Sequence, residues 1–367
     1  MSFFKSIFGK KKEANSLGEK NRTQETVLKV KHIERLIESA VKVEFEVPEE
    51  LKKEYLFIPG QYVNIKLNIN AKEEVRSYSI CSGVDETLAI GVKKIENGVV
   101  SAYLNDTLKV GDEVAVSFPM GGFNLSEKAG NYVAIAAGSG ITPILSIAES
   151  INSSLDQKLS LIYANRDDQS IMFEKDIASL SADKVGVTHV FSEQEKEGFL
   201  HGMMTEEMIH SIIKKDLSLL KSEGFYICGP EAVIINAQNA LKTFGVPDAK
   251  IFFELFTTPV EMETKSEVVA EKLEGKAKVT VILDGEEEKF ELAQKGDTIL
   301  EEAESHGMDA PYSCRGGICS TCKAKVVKGS AIMDKNFTLT DEEVAQGYVL
   351  TCQAHPNSAE VIISYDE

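Results

Sequence analysis

The sequence predicts a multidomain protein in which an antiparallel β-barrel, a parallel α/β sheet and a small α+β domain follow one another. Three observations predict this order: short alternating strands come first, then strands that alternate with helices, and finally a loop of closely spaced cysteines. A chain of 367 residues is also too long for one ordinary domain. We place the boundaries at residues 1–25 (basic tail), 26–126 (barrel), 127–257 (α/β domain), 258–276 (linker) and 277–367 (cysteine-bearing domain).

The barrel is predicted from short strands that turn residues separate. Residues 41–47 alternate strictly between apolar and polar side chains, and residues 62–67 and 88–92 have the length and composition of further strands. Gly, Pro and Asn lie between them. Several short strands at such spacing are typical of an antiparallel barrel.

The middle of the chain changes to a βα pattern. Residues 132–137 form a continuous apolar run, and a helical stretch begins near Pro143. A second buried strand at 159–163 precedes a helix near 171–180, and further strands are predicted at 185–191, 225–228 and 251–253. Strands that alternate with helices indicate a parallel sheet.

The last 90 residues are predicted to form an α+β unit. A polar stretch with little periodicity precedes them, which indicates a linker. Two strands, 279–283 and 289–292, flank Asp284-Gly285, a hairpin signal, and a helix follows at 298–306.

The net charge argues against a nucleic-acid partner, and the hydropathy argues against a transmembrane helix. The formal net charge of −18 argues against nucleic acid, and no run of about 18 apolar residues predicts a transmembrane helix. The first 31 residues are different, with eight Lys or Arg against three Glu. This segment has two interpretations, a helix that lies on a membrane surface or a partner, and a solvated tail.

Four cysteines near the C-terminus carry the strongest signal. Four residues separate Cys314 from Cys319, two separate Cys319 from Cys322, and 29 separate Cys322 from Cys352. This is the ligand spacing of a plant-type [2Fe–2S] ferredoxin, whose cluster moves one electron at a time. A structural zinc site is the alternative, although such sites usually pair two short knuckles.

The remaining cysteines, Cys81 and Cys228, help to predict the cellular compartment of the protein. Nothing in the chain reads as a secretion signal, so disulfides are disfavoured. We therefore expect a cytoplasmic protein.

Two motifs of the barrel region have the chemistry of a cofactor site. Arg76-Ser77-Tyr78-Ser79 offers a cation for a pyrophosphate, a ring for stacking and hydroxyls for a heteroatom. Gly98-Val99-Val100-Ser101 opens a helical stretch whose N-terminus could bind phosphate. Each motif alone is weak, because surface decoration or a plain turn would look the same.

The turn Gly138-Ser139-Gly140-Ile141-Thr142-Pro143 lies between a buried strand and a helix, where an α/β sheet binds a dinucleotide. It departs from G-x-G-x-x-G, and a plain glycine-rich turn is the alternative. Cys228-Gly229-Pro230 repeats the strand–turn–helix arrangement. Arg166 follows a strand where the adenosine ribose is expected, which favours NADPH, although Asp167 and Asp168 leave NADH open.

In this order and at these distances, the four motifs resemble the ferredoxin–NADP reductase superfamily. The added ferredoxin domain and residues 163–166, 252–256 and 348–354 make the chain similar to the reductase subunits of phenylacetyl-CoA ring-epoxidase systems. The similarity covers about residues 27–367. It implies an enzyme of aerobic phenylacetate degradation that passes electrons from NAD(P)H to FAD, to a [2Fe–2S] cluster and then to a diiron oxygenase.

The resemblance also implies roles for individual residues. Arg76 contacts the FAD pyrophosphate, Tyr78 stacks on the flavin, Phe256 lies against it, and the catalytic residues Ser79, Cys228 and Glu254 lie near the point of hydride transfer. The cofactor-binding residues implied are Arg76, Ser77, Tyr78, Ser79, Val92, Lys93, Gly98, Val100, Ser101, Gly138, Gly140, Ile141, Thr142, Arg166, Cys228, Gly229, Pro230 and Phe256.

Two other functions remain open from the sequence. The chain could be the reductase of another multicomponent oxygenase, or a slow redox-sensing or docking flavoprotein without a nicotinamide site. Residues 276–367 contain nine Lys or Arg against seventeen Asp or Glu, a local charge of −8. We therefore expect the electron acceptor to present a basic surface, unless this acidity serves solubility alone.

Overall fold

The computed structural model describes residues 25–256 and 275–367, and these two ranges belong to two different compact units. Almost all of the predicted basic tail and of the predicted linker lies outside the described residues. None of the helices within the described ranges has the length and apolar character needed to cross a membrane.

The first unit begins with an antiparallel six-stranded sheet. Its strands are β1 (Glu25–Ile37), β2 (Ala40–Glu46), β3 (Tyr62–Ile69), β4 (Lys72–Ser79), β5 (Ala89–Lys93) and β6 (Glu113–Ser117). They lie in the order β4-β3-β6-β1-β2-β5, and a bridge between Ile80 and Ile90 joins the two edges. The sheet therefore closes into the predicted barrel, and α1 (Val99–Asp106) follows β5.

Alternation of apolar side chains explains the barrel core. Along β2, Val41, Val43 and Phe45 are buried, and the residues between them are partly exposed. Ile65 of β3 and Val116 of β6 join the same core. The period of two that the sequence shows is thus the period that separates the barrel interior from its surface.

The second part of this unit is a six-stranded parallel sheet in the order β10-β9-β8-β7-β11-β12. Its strands are β7 (Gly130–Ala137), β8 (Gln157–Asn165), β9 (Val185–Phe191), β10 (Leu200–His201), β11 (Gly224–Cys228) and β12 (Ile251–Glu254). Its helices are α2 (Ile141–Asn152), α3 (Glu174–Ser179), α4 (Glu206–Lys215) and α5 (Glu231–Thr243). The strand order reverses at β7, so a ligand site is expected at the carboxyl end of that strand.

One helix is shorter than the sequence predicts. The apolar residues from Ile171 to Phe173 precede α3 and do not form its first turn. Phe173 is buried and has a φ of 59°, in the left-handed region. A helix cannot run through that conformation, so α3 begins at Glu174.

The second unit has the predicted α+β character. Its strands are β13 (Lys276–Leu283), β14 (Glu286–Ala293), β15 (Lys323–Lys328), β16 (Ala331–Met333), β17 (Tyr348–Leu350), β18 (Ala354–Pro356) and β19 (Glu360–Ser364), and its helices are α6 (Ile299–Ser305) and α7 (Asp341–Ala345). The main sheet has the order β14-β13-β19-β15-β17, with α6 packed on it through Ile299, Leu300 and Ala303. This is a β-grasp arrangement, and Asp284-Gly285 forms the predicted hairpin turn.

Candidate functional site

Strand β4 presents an arginine that is held in place and still half exposed. Arg76 Nη2 lies 3.0 Å from Glu74 Oε2, and Arg76 Nη1 donates a hydrogen bond of 2.7 Å to the carbonyl of Val75. The Arg76 side chain keeps 50% of its exposure. A guanidinium that is oriented on one side and open on the other suits an anionic group such as a pyrophosphate.

The two residues that follow Arg76 are also engaged or buried. Ser77 Oγ donates a hydrogen bond of 2.8 Å to Asn64 Oδ1. Burial raises the pKa of Tyr78, which outweighs the opposite effect of Arg76. The Tyr78 ring therefore remains a neutral phenol, as stacking on a flat cofactor requires.

The segment before α1 has the shape of a phosphate cradle. Gly98 is the N-cap of α1, and a Cβ there would lie 2.3 Å from Ile95 Cγ1 and 2.4 Å from Ser101 Oγ. Val100 anchors the helix in the barrel core, and the Val92 carbonyl accepts a hydrogen bond of 3.2 Å from Asn105. A side chain at this position would displace Ile95 and Ser101, and the helix N-terminus that follows favours an anion.

The glycine turn after β7 approaches the end of β11 closely. A Cβ at Gly140 would lie 2.1 Å from the Cys228 carbonyl oxygen and 2.7 Å from the Gly229 nitrogen. Ile141 and Thr142 are buried in the first turn of α2, and Pro230 is the N-cap of α5. The two strand–turn–helix motifs therefore lie side by side at the switch point of the sheet, as predicted for a dinucleotide site.

Two cationic side chains flank the glycine turn. Lys93 Nζ of β5 would lie 3.7 Å from a Cβ at Gly138, so the barrel contributes a cation to the edge of the parallel sheet. Burial lowers the pKa of Lys93, and the charge of Arg166 lowers it further. Like charges that are held near each other favour an anionic ligand between or beside them.

The carboxylates of Asp167 and Asp168, beside Arg166, already interact with other side chains of the protein. The Asp168 carboxylate accepts a hydrogen bond of 3.3 Å from Gln194 Nε2 and forms an ion pair with Lys196, and Asp167 accepts one of 2.5 Å from Ser170. Within residues 25–256 and 275–367, the Arg166 side chain has neither a hydrogen bond nor an ion pair. Arg166 is exposed and is therefore free to meet a phosphate.

Three of the predicted residues converge between the barrel and the parallel sheet. Ser79 Oγ donates a hydrogen bond of 3.2 Å to Glu254 Oε2, and Glu254 is the register partner of Cys228 across β11 and β12. Burial raises the pKa of Glu254 to about 8, against the opposing effect of the Ser79 hydrogen bond. Burial also raises the pKa of Cys228, so both groups hold their protons at neutral pH.

Phe256 lies at the end of the first described range, and its side chain is 43% exposed. The residue follows Glu254 by two positions. An exposed aromatic ring two residues after this partly buried carboxyl is compatible with stacking on a ligand.

The four cysteines of the second unit lie in two pairs. The Cys314 and Cys319 side chains share a hydrogen bond, and so do those of Cys322 and Cys352. Over the described ranges, no three His, Cys, Asp or Glu side chains are arranged to hold a metal ion. Each thiol pair can supply the two thiolates that one iron of a two-iron cluster takes from the protein.

Backbone amides surround these thiols. The Gly316 N–H donates to Cys314 Sγ at 3.3 Å, and the Cys314 N–H donates to Cys319 Sγ at 3.5 Å. The hydrogen bond with Cys319, together with the amides of Gly316, Ile318 and Cys319, lowers the pKa of Cys314 to about 6 against the opposing effect of burial. Amides that point at sulfur stabilise thiolates, which are the ligand form that iron requires.

Comparison with protein-family models agrees with this layout. An oxidoreductase FAD-binding domain matches residues 27–125, an oxidoreductase NAD-binding domain matches 134–239, and a 2Fe-2S iron-sulfur cluster binding domain matches 281–357. The chain is therefore an oxidoreductase that binds FAD, a pyridine nucleotide and a [2Fe–2S] cluster.

Similarity to individual proteins indicates which kind of oxidoreductase this chain is. A component of the 1,2-phenylacetyl-CoA epoxidase of Escherichia coli is 36% identical over 92% of this chain and 97% of its own length. The ferredoxin reductase component of the Rhodococcus rhodochrous 3-ketosteroid-9-alpha-monooxygenase is 30% identical over 85% of this chain and 89% of its own. Phthalate dioxygenase reductase shares the fold, with a TM-score of 0.56, 23% identity and coverage of 93% of this chain and 98% of its own.

The chain belongs to the family of oxygenase reductase components in which FAD-binding, NAD-binding and C-terminal [2Fe–2S] domains form one polypeptide, and this family includes the Escherichia coli epoxidase component. Its activity is electron transfer from NAD(P)H through FAD to the cluster. The fold predicted from the sequence is confirmed.

Sequence reasoning did not find all the residues that shape these sites. Glu74 orients Arg76, yet only the alternation along β4 places the two on one face. The pairing of the thiols is equally hidden, because spacing indicates four ligands and not which two lie together.

Proposed function

We propose that this chain is the reductase component of an oxygenase that epoxidises the ring of phenylacetyl-CoA, and that its acceptor is a diiron oxygenase. The observation that carries this proposal is the similarity to the Escherichia coli epoxidase component, which extends over nearly the whole of both chains. A component with this domain order supplies electrons and needs no residue for the chemistry of the oxygenase substrate.

The positions of the site residues support the roles that we propose for them. Arg76, which Glu74 orients, and the α1 N-terminus at Gly98 to Ser101 would both bind the phosphates of FAD. Tyr78 stacks on the ring system. The turn from Gly138 to Thr142, together with Lys93, holds the nucleotide phosphates, because backbone amides and a cation meet there.

Ser79 and Glu254 form a hydrogen-bonded pair between the barrel and the parallel sheet, and Glu254 holds a proton there. Because burial raises the pKa of Glu254 to about 8, its carboxyl is mostly protonated at pH 7 and places no negative charge where a hydride donor must approach. The Ser79 hydroxyl, which donates to Glu254, is held in one orientation. Cys228 and Gly229 close the wall behind the site and exclude water.

The chemistry that the bound groups supply is hydride acceptance by FAD and single-electron transfer by the cluster. The chain's own contribution is to bring Cys314, Cys319, Cys322 and Cys352 together, with backbone amides directed at Cys314 and Cys352 that lower the pKa of these two thiols. We propose the domain boundaries given above, 26–126, 127–257 and 277–367, as the functional divisions of the chain. The free cysteines suit a reducing compartment, so we assign the protein to the cytoplasm.

NADPH is the proposed electron donor. Arg166 is exposed and has no partner within the described ranges, whereas Asp167 and Asp168 are bound by Ser170, Gln194 and Lys196. A guanidinium in this position pairs with a 2′-phosphate. Arg166→Ala should raise the KM for NADPH at least tenfold more than the KM for NADH, and an unchanged ratio would favour NADH.

Reconstitution tests the proposed function. The purified chain is combined with the diiron subunits of a phenylacetyl-CoA epoxidase, and substrate-dependent NAD(P)H oxidation is measured with ferricyanide reduction as the control. We expect turnover that requires phenylacetyl-CoA. Rapid ferricyanide reduction without epoxidation would overturn the proposed acceptor. The second candidate, a reductase for another oxygenase, is favoured by the 3-ketosteroid relative and would then be tested in the same way.

A further inference from the structure

Asn165 is a buried amide whose hydrogen-bonding groups are not used. It is 8% exposed, and neither Oδ1 nor Nδ2 has a hydrogen-bond partner within residues 25–256 and 275–367. Leaving a buried amide unpaired destabilises the fold, so native proteins rarely keep one without a reason. The flavin and nucleotide roles proposed above do not use this side chain.

Its position is the edge of the nucleotide site. Asn165 is the last residue of β8, beside β7, and it lies on the same face of the strand as Tyr163. The Tyr163 hydroxyl donates to the Gly138 carbonyl at 3.2 Å and accepts from the Met172 N–H at 3.2 Å. It lies beside the Asn165 amide, but the geometry between the two groups falls short of a hydrogen bond. Tyr163 thus ties this face of β8 to the glycine turn.

The chemistry of the amide identifies the ligand group. A phosphate offers only acceptors and would satisfy the Asn165 Nδ2 alone, whereas a hydroxyl both donates and accepts and can satisfy either end. The next residue, Arg166, already provides the cation that a phosphate needs. A ribose hydroxyl between the glycine turn and Arg166 therefore fits both observations.

We propose that Asn165 hydrogen-bonds the adenosine ribose of the nicotinamide nucleotide, through the hydroxyl that NADH and NADPH share. This inference rests on the proposed nucleotide site. Asn165 then sets the affinity for both nucleotides, and Arg166 sets the choice between them. The effects of the two adjacent residues on nucleotide binding are separable, since Asn165 contacts the ribose hydroxyl and Arg166 the phosphate charge.

The test uses the full chain with FAD and cluster bound, and ADP-ribose, NADH and NADPH as probes. Asn165→Leu keeps the volume of the side chain and removes its polar groups. We expect its Kd for ADP-ribose to rise at least tenfold, and its Kd for NADH and NADPH to rise by a common factor. The limiting rate of flavin reduction at saturating nucleotide should be unchanged, since the hydride-transfer residues are untouched.

A second variant separates the ribose from a phosphate. Asn165→Asp keeps an acceptor for a hydroxyl, so its Kd for NADH should stay below that of Asn165→Leu. If Asp weakens NADH binding more than Leu does, the partner is a phosphate and the ribose assignment is overturned. Should Asn165→Leu fail to fold, Asn165→Asp is compared with the wild type instead, and a Kd for NADH that rises more than about tenfold overturns the ribose assignment.

The failure of this inference differs from the failure of the proposed function. If the wild-type chain is not reduced by either nucleotide, the proposed function fails. If the wild type is reduced normally and both Asn165 variants bind ADP-ribose with the wild-type Kd, the amide has no ligand role, and only this inference is overturned.

Discussion

Gly140→Ala should disable the nucleotide site by forcing two strands apart. The added Cβ would lie 2.1 Å from the Cys228 carbonyl oxygen, whereas ordinary contact begins near 3.4 Å, so the carboxyl ends of β7 and β11 must separate by about 1.3 Å. The atoms in the way belong to the backbone and cannot rotate aside. Overpacking of this kind costs about 1–3 kcal/mol.

The functional effect should exceed the effect on stability. A displacement of about 1 Å in a hydride-transfer site can slow the reaction on the order of 100-fold. We therefore expect the rate constant for flavin reduction by NAD(P)H to fall by about that factor. The Tm should fall by about 2–4 °C for each kcal/mol lost. Anaerobic stopped-flow measurement of flavin absorbance and thermal unfolding of the same preparation check the two values.

The matched control is Gly186→Ala in β9. A Cβ at Gly186 meets nothing within 4 Å, and the residue lies in the same parallel sheet. This variant should keep the wild-type reduction rate and the wild-type Tm or a slightly higher one. A wild-type reduction rate in Gly140→Ala would refute the argument that this approach of β7 to β11 shapes the site.

Three further predictions concern charge and the cluster. Because the pKa of Glu254 is about 8 in the folded protein and 4.5 ordinarily, the folded state keeps a proton that the unfolded state loses, and stability falls as pH rises from about 4.5 to 8. The Tm of Glu254→Gln should therefore rise relative to that of the wild type across this pH range. A Tm difference that stays constant with pH would contradict the raised pKa of this carboxyl. Cys314→Ser should lose iron, sulfide and cluster absorbance but keep FAD, whereas Cys81→Ala should keep all of them; bound zinc in the wild type without iron or sulfide would reject the cluster. Electron transfer to the oxygenase should slow as salt rises, because the Debye length is about 8 Å at physiological ionic strength, and ferricyanide reduction should not follow the same curve; a salt-independent rate with the oxygenase would reject docking through the acidic domain.

Local chemistry explains why much of the fold was predictable. The alternation at 41–47, the apolar run at 132–137 and the Asp284-Gly285 turn each indicate one backbone geometry, and all three appear in the structure. Where a buried residue overrides local preference, prediction was wrong, as in the helix that Phe173 delays to Glu174. The Phe173 ring packs against residues that are distant in the sequence, such as Gly91, so its neighbours in the sequence do not reveal where the helix begins.

The sequence by itself determined the domain order and predicted the four cysteine ligands and the cofactor-binding motifs, because each of these depends on neighbours within a few residues. Only the tertiary structure brought Ser79 to Glu254 across 175 positions, placed Lys93 over Gly138, and left the Asn165 amide without a protein partner among the described residues. These relations depend on which strands lie side by side and on how much water they exclude. Burial then sets the pKa of Glu254, so the chemistry of that carboxyl is a property of the folded protein and not of its sequence neighbours.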